Sequence, residues 1–374
     1  MSLRGRATAS GTARFAARYL DAKADFFHRL GDRTVSAVGL GTYLGDADER
    51  TDRLYDDAIE AVLANGCNVL DAAANYRSQR SERTIGGALE RLVGRDSIAR
   101  DEIVVCTKAG YLPFDGDVPT DPSGYLIDTF LRPGIIQYDD LVAGCHCISP
   151  RYLAHQLHAS LHNLRVETID VYYLHNPEQQ LDEVPRETFL QRMEAAFRFL
   201  EEKVGEGTIG CYGTATWNGY RVNAQSAGYL SLSELCALAE RVAGHAHHFR
   251  AIQLPYNLAM PEAYAFKNQV VDGQTVNTLD AAARLGVDVV ASASLLQSRL
   301  VRLPASMARW LPDSETDAQR ALQFVRSTPG VAVALVGMKQ RAHVEQNLRV
   351  RQQAALPKDR LDRLFARGSQ KSSH

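Results

Sequence analysis

Asp71, Tyr76, Lys108 and His175 are four residues of this 374-residue chain whose types and positions together could move a proton. Three of them close short apolar runs: Asp71 ends 67–71, Lys108 ends 103–108 and His175 ends 169–175. Tyr76 follows Asp71 by five positions. A tyrosine, with an ordinary pKa of about 10, is a poor acid at neutral pH, and a neighbouring ammonium stabilises its phenolate. A carboxylate would keep that lysine charged and in place, and a histidine could orient a substrate oxygen. Singly, each has a plain structural reading: an N-cap, a surface charge, a satisfied loop histidine. Their shared location at run ends singles them out.

The elements that would position them alternate along the chain. Apolar runs rich in Val, Ile and Leu occur at 35–41, 67–71, 103–108, 169–175, 209–213, 251–255, 287–293 and 331–337. They lack strict polar alternation, as strands covered on both faces do. Amphipathic helical stretches separate them at 52–65, 82–92, 150–164, 187–205, 231–243, 275–285 and 318–328. Eight strands alternating with helices predict a single α/β (β/α)8 TIM barrel, in which chemistry sits at the C-terminal ends of strands. A doubly wound sheet is the alternative. Its dinucleotide fingerprint is absent, because Leu44 stands where Gly39-Leu40-Gly41 would need a third glycine. The barrel is expected over 34–374, after a helical N-terminal extension over 1–33 with its helix at 13–30. A long insertion, 110–149, leaves the third strand directly after Lys108.

Composition narrows the class. The chain is 45% apolar and 23% charged, with 42 Lys+Arg against 44 Asp+Glu. That balance offers no electrostatic footprint for nucleic acid or an anionic membrane, and no apolar run reaches transmembrane length. Six scattered cysteines suit a reducing, cytoplasmic setting. Four arginines and no acid before residue 20 loosely match a transit peptide; a polar arm is the expectation kept here. Cys145-His146-Cys147 is poor zinc spacing without a partner pair, so no metal is expected.

The ordered motifs resemble the aldo-keto reductases. The resemblance rests on Gly39–Thr42, Asn68–Tyr76, Ser81–Leu89, Thr107-Lys108, Leu174-His175, Ile252–Asn257 and Gly337–Leu348. It implies a (β/α)8 barrel and nicotinamide-dependent interconversion of a small carbonyl and an alcohol, without metal. It also implies a catalytic tetrad of Asp71, Tyr76, Lys108 and His175, with Tyr76 as general acid–base. By the same resemblance Gln253 and Thr216 would bind the nicotinamide carboxamide, though the usual Ser-Asn pair reads Ala215-Thr216 here. The aromatic residue that stacks on the ring would fall at Ser292, which leaves Trp217 or Tyr256 to cover it. Gly337, Lys339, Arg341, Gln346 and Asn347 would hold the adenosine end, and two cations ahead of a helix favour NADPH, with NADH as the alternative. A cofactor-bound regulatory protein of the same fold is the competing class, as is a metal-assisted hydrolase, for which no converging ligand set can be assembled. The insertion, with Tyr111, Phe114, Tyr125, Phe130, Asp115, Asp117 and Asp121, is expected to line the substrate pocket and to suit a sugar or cyclic polyol.

Overall fold

In the computed structural model, which describes residues 2–368, eight parallel strands close into a barrel. They are β1 (Val38–Gly41), β2 (Val69–Asp71), β3 (Val104–Ala109), β4 (Ile169–His175), β5 (Ile209–Ala215), β6 (Phe249–Pro255), β7 (Asp288–Ser292) and β8 (Val331–Val336). β8 pairs with β1 and so shuts the ring. Side chains alternate between the two faces of a strand. Along one face the chain offers Val69 then Asp71, Cys106 then Lys108, Tyr173 then His175, Ala251 then Gln253, and Val290 then Ser292. The lower members of these columns belong to one buried apolar cluster with Val104, Val171 and Val333. The apolar filling therefore stops one step short of the C-terminal mouth, and polar side chains take its place there.

Helices cover the outer face: α1 (Glu49–Ala64), α2 (Arg80–Gly94), α3 (Pro150–Leu164), α4 (Arg186–Gly205), α5 (Leu232–Ala243), α6 (Thr278–Leu285), α7 (Asp317–Arg326) and α8 (Arg341–Asn347). α1 illustrates the logic. Asp48 Oδ1 accepts from Thr51 N at 2.7 Å and satisfies an otherwise orphaned N–H. Tyr55, Ala58, Ile59 and Val62 then fall on one face and are buried. Full burial of a large apolar side chain contributes about 1.5–3 kcal/mol, so Ile59→Ala would cost about 2–5 kcal/mol.

Two expectations are corrected. The helix expected from 275 begins only at Thr278, because Gln274–Asn277 is a strand paired antiparallel with Lys267–Val271. Asp272 (φ 50°) and Gly273 (φ 74°) form the connecting turn, and an Asp-Gly pair favours that left-handed geometry. The helix expected over 13–30 is instead Ala9–Ala16, followed by a hairpin of Phe27–Leu30 with Arg33–Ser36. This N-terminal segment is tied to the barrel through Asp170. Its Oδ1 accepts from Ala7 N at 2.7 Å, and its Oδ2 accepts from Arg100 at 2.7 Å and Val105 N at 2.8 Å.

The insertion returns to its origin. Tyr111 and His146 bridge antiparallel at its base, and Cys147 N donates to Gly110 O at 2.8 Å. Its body packs on α3, with the Phe130 ring 6.0 Å from Tyr152 and 5.8 Å from His155.

Candidate active site

The columns that end at the barrel mouth surround a cavity of about 350 Å³ lined by Asp71, Tyr76, His175, Thr216, Gln253, Ser292 and Gly337, among others. Lys108 lies beneath its floor, fully buried. Its ammonium donates to Asp71 Oδ1 at 2.5 Å and to the Ala72 carbonyl at 2.7 Å, and lies 4.8 Å from the Tyr76 ring centre. Gln253 Nε2 donates to the other Asp71 oxygen at 2.8 Å. The Tyr76 ring meets His175 edge-on at 5.8 Å and Tyr43 at 5.1 Å. The four residues expected to act together thus converge from β2, β3 and β4 and the loop after β2.

Electrostatics at the mouth follow from burial. Burial works against the Lys108 ammonium, but Asp71 and Tyr76 hold its pKa above the ordinary lysine value. Burial pushes the Asp71 carboxyl up, while Lys108 and Gln253 pull it back. Burial raises Tyr76 above the ordinary tyrosine value, and Lys108 opposes the rise. The phenol therefore keeps its proton at neutral pH, beside a cation able to stabilise the phenolate. Burial, with Lys108 second, drives His175 well below the ordinary histidine value, so its ring is neutral. A buried acid next to a fixed cation, with a neutral imidazole packed beside it, can deliver a proton to an oxygen that both groups hold.

The Aldo/keto reductase family model matches residues 37–303. The chain belongs to that family. An NADH-specific methylglyoxal reductase of Escherichia coli (strain K12) is 30% identical over 193 residues, covering 49% of this chain and 49% of that protein. The chain thus spans about half the length of that curated relative. Among solved structures, an aldo/keto reductase from Klebsiella pneumoniae in complex with NADP and acetate shares the fold, with TM-score 0.60 and 20% identity over 91% of this chain and 94% of that one. The glycerol dehydrogenase of Gluconobacter oxydans gives TM-score 0.62 and 19% identity over 92% and 96% of the two chains.

In this aldo/keto reductase family member the remaining expected residues divide into two groups. Thr216, Gln253, Ser292 and Gly337 line the cavity. Lys339, Arg341, Gln346 and Asn347 lie beyond it, on α8 and the segment before it. Lys339 reaches over the loop after β1, its Nζ 3.3 Å from where a Cβ on Gly45 would stand. Arg341 is exposed with Glu345 at 3.9 Å, Gln346 is exposed, and Asn347 is buried with its Oδ1 unpartnered.

Other expectations shift. Tyr256 is buried away from the cavity, stacked on Phe324 at 5.4 Å, whereas Trp217 lines the cavity and is 42% exposed. Of the insertion's seven candidates only Tyr111 lines the cavity. Phe114, Tyr125 and Phe130 form an aromatic row leading to α3. Asp115 pairs with Arg83, Asp121 accepts from Gly124 N and Asp117 from Val118 N. Sequence reasoning assigned no site role to Tyr43, Asn75, Asn176 or Ser294, all of which line the cavity. Each lies within four residues after a strand end, the one signal that could have found them.

Glu178 was also missed. Its Oε1 accepts from three successive backbone N–H groups, Trp217 at 2.8 Å, Asn218 at 3.0 Å and Gly219 at 3.3 Å. It fixes the loop that carries Thr216 and Trp217. Among the described residues, no group of three or more His, Cys, Asp or Glu side chains is arranged to hold a metal ion.

Proposed function

We propose that this protein is an NAD(P)H-dependent oxidoreductase that interconverts a carbonyl and an alcohol, with Tyr76 as the general acid–base group. The observation that carries the reading is the buried Asp71–Lys108 pair set 4.8 Å beneath the Tyr76 ring, at a cavity that His175 also lines. A regulatory role alone gives no reason to bury an ammonium under a phenol.

The cavity fits a nicotinamide. Thr216 Oγ1 and Ser294 Oγ are buried, unpartnered and on its lining, and they suit a carboxamide that both donates and accepts. Gln253 commits one amide N–H to Asp71 and keeps its carbonyl oxygen available. Gly337 lines the wall, where a Cβ would crowd Leu44 at 3.2 Å, and Trp217 is the aromatic able to cover the ring in place of Ser292. Lys339 and Arg341 supply positive charge for an adenosine 2′-phosphate, which favours NADPH, with NADH as the alternative. Of the relatives, the Klebsiella pneumoniae structure holds NADP and the Escherichia coli reductase is NADH-specific.

When bound, the reduced nicotinamide supplies a hydride. The chain's own residues supply the proton and the orientation. His175 and Tyr76 hold the substrate oxygen, Tyr76 transfers its proton to it, and Lys108 stabilises the phenolate left behind. Asp71 keeps Lys108 charged in a site where burial disfavours charge.

For substrate class, aromatic rings at Tyr43, Tyr111 and Trp217 line the cavity together with the amides of Asn75 and Asn176. Such a lining suits a sugar or cyclic polyol, with hydroxyls bonded by the amides and apolar faces on the rings. We assign the protein to the cytoplasm on the support of six unbridged cysteines; among the described residues no helix is long and apolar enough to cross a membrane.

A cofactor-linked screen over aldoses, lactols, ketones and small aldehydes, run in both directions with NADP(H) and NAD(H), tests the reading. Turnover that ranks hydroxylated substrates first supports it. Cofactor binding without turnover of any carbonyl would leave the regulatory class standing.

A further inference from the structure

We propose that His146, from the base of the insertion, is a positioning residue that holds His175 in its working orientation. The proposal rests on the reading of His175 as the group that orients the substrate oxygen.

The geometry runs inward from α4. The Arg192 guanidinium donates to Gln180 Oε1, which commits the Gln180 amide nitrogen to the other side. That nitrogen donates to His146 Nδ1 at 2.8 Å. With Nδ1 accepting, the ring proton of neutral His146 must sit on Nε2, and Nε2 lies 2.7 Å from the His175 carbonyl oxygen. His146 and Gln180 are both fully buried, so each of these bonds would cost the desolvation of its partner if broken. Burial lowers the His146 pKa from 6.5 to about 4, so the ring stays neutral and its tautomer is fixed across the neutral range.

The His175 carbonyl needs this partner because β4 ends there. Asn176 turns left-handed (φ 45°) and sends its N–H to Ala215 O at 2.6 Å. His146 also acts through Tyr111. The Tyr111 ring meets His146 edge-on at 5.0 Å and His175 at 5.1 Å, and its hydroxyl is held by Gln179 at 2.5 Å and Asn176 at 3.0 Å. The His175 ring therefore stands between Tyr76 and Tyr111, with its backbone fixed by His146.

An independent observation points the same way. A Cβ on Gly110 would come within 2.5 Å of the His175 carbonyl oxygen and 2.8 Å of His146 Nε2. Only glycine lets the insertion's base approach this closely.

The test compares His146→Phe, which keeps a ring without the donor, His146→Gln, which keeps a donor, and Gly110→Ala, which wedges the contact apart. A misplacement of about 1 Å at a reacting group can cost about 100-fold in rate. We expect kcat to fall about 10- to 100-fold in His146→Phe and in Gly110→Ala, with cofactor Kd within about twofold of wild type, and most of the rate to return in His146→Gln. Wild-type kcat in His146→Phe, or a His146→Gln variant as slow as His146→Phe, overturns the proposal. The wild-type protein gives a readout that needs neither folding of a variant nor turnover. Its histidine ring 15N spectrum should show His146 as the Nε2–H tautomer alone from pH 6 to 8. A mixture, or the Nδ1–H form, overturns the proposal, whereas absent carbonyl turnover with the expected tautomer overturns only the functional reading.

Discussion

Gln253 Nε2 donates to Asp71 Oδ2 across the mouth of the barrel, at 2.8 Å. Their strands, β6 and β2, stand four places apart in the ring of eight, so this bond spans its full width. It orients the amide, leaving the Gln253 oxygen and the second amide hydrogen for a ligand, and it gives Asp71 a second donor besides Lys108. One side chain thus links the nicotinamide end of the proposed cofactor site to the group that tunes the acid.

Gln253→Met keeps the volume and removes both functions. Cofactor affinity should fall about tenfold, the cost of one or two buried hydrogen bonds, and kcat should fall with it as Asp71 loses support. Isothermal titration with the cofactor and steady-state rates measure the two effects. A loss confined to affinity would show that the Asp71 link has no part in turnover.

Tyr76→Phe should slow reduction by about 10²–10⁴-fold, the usual contribution of a general acid, with cofactor Kd little changed. The pH dependence has a definite sign. Burial raises Tyr76 above its ordinary value against the pull of Lys108, so the acid is protonated across the neutral range. Reduction should hold level there and fall only on the alkaline side, while alcohol oxidation, which needs the phenolate, should climb with pH. Stopped-flow traces of cofactor absorbance in both directions check this; reduction that rises with pH contradicts the role.

Lys339 and Arg341 carry the cofactor preference in the functional reading. Neither lines the cavity, and Arg341 is exposed with its acidic neighbour Glu345 only at 3.9 Å. Replacing both with alanine should weaken NADPH binding about tenfold and NADH binding by less than about threefold, since exposed charge contacts contribute up to about 1 kcal/mol each. Fluorescence titration with each cofactor separates the outcomes, and equal losses remove this segment from phosphate recognition.

His146 should make stability depend on pH. Its folded pKa is depressed from 6.5 to about 4. Between those values the unfolded chain takes up a proton that the folded one refuses, so the stabilisation present above pH 6.5 is lost as pH falls toward 4. By linkage the loss reaches about 2 kcal/mol at pH 5. Glutamine at this position does not titrate. The stability difference between wild type and His146→Gln, from urea unfolding, should therefore shift toward the variant by about 2 kcal/mol from pH 7 to pH 5. A constant difference would mean that His146 protonates freely in the folded protein.

What could be read from the sequence follows the physics of the barrel. Asp71, Lys108 and His175 were legible because each closes an apolar run, and parity along a strand carries them to the same inward face; Gln253, two residues short of the end of β6, was legible only through the motif resemblance. Tyr43 and Asn176 sit on loops, where no period constrains direction. The hairpin around Asp272-Gly273 was missed because its strands are only five and four residues long, too short for a period to stand out, leaving only the turn residues to decide. His146 was legible only as a poor metal ligand. Its contact with His175 depends on a 36-residue excursion closing on itself, which no local pattern encodes.

The insertion divides into a base that touches the site and a body that does not, and two substitutions should separate them. Phe130 is 2% exposed and packs on Tyr152 and His155. Phe130→Ala should cost about 3–5 kcal/mol of stability through the cavity it leaves. Its substrate KM should stay within about twofold of wild type, because no Phe130 atom lines the pocket. Tyr111 lines the pocket, and its ring abuts His175. Tyr111→Ala should instead raise KM and lower kcat, and the KM rise should be larger for hydroxylated ring substrates than for small aliphatic aldehydes. Thermal unfolding and substrate profiles of the two variants give the comparison. A Phe130→Ala enzyme with altered substrate ranking would return the insertion's body to the specificity role that its aromatic composition first suggested.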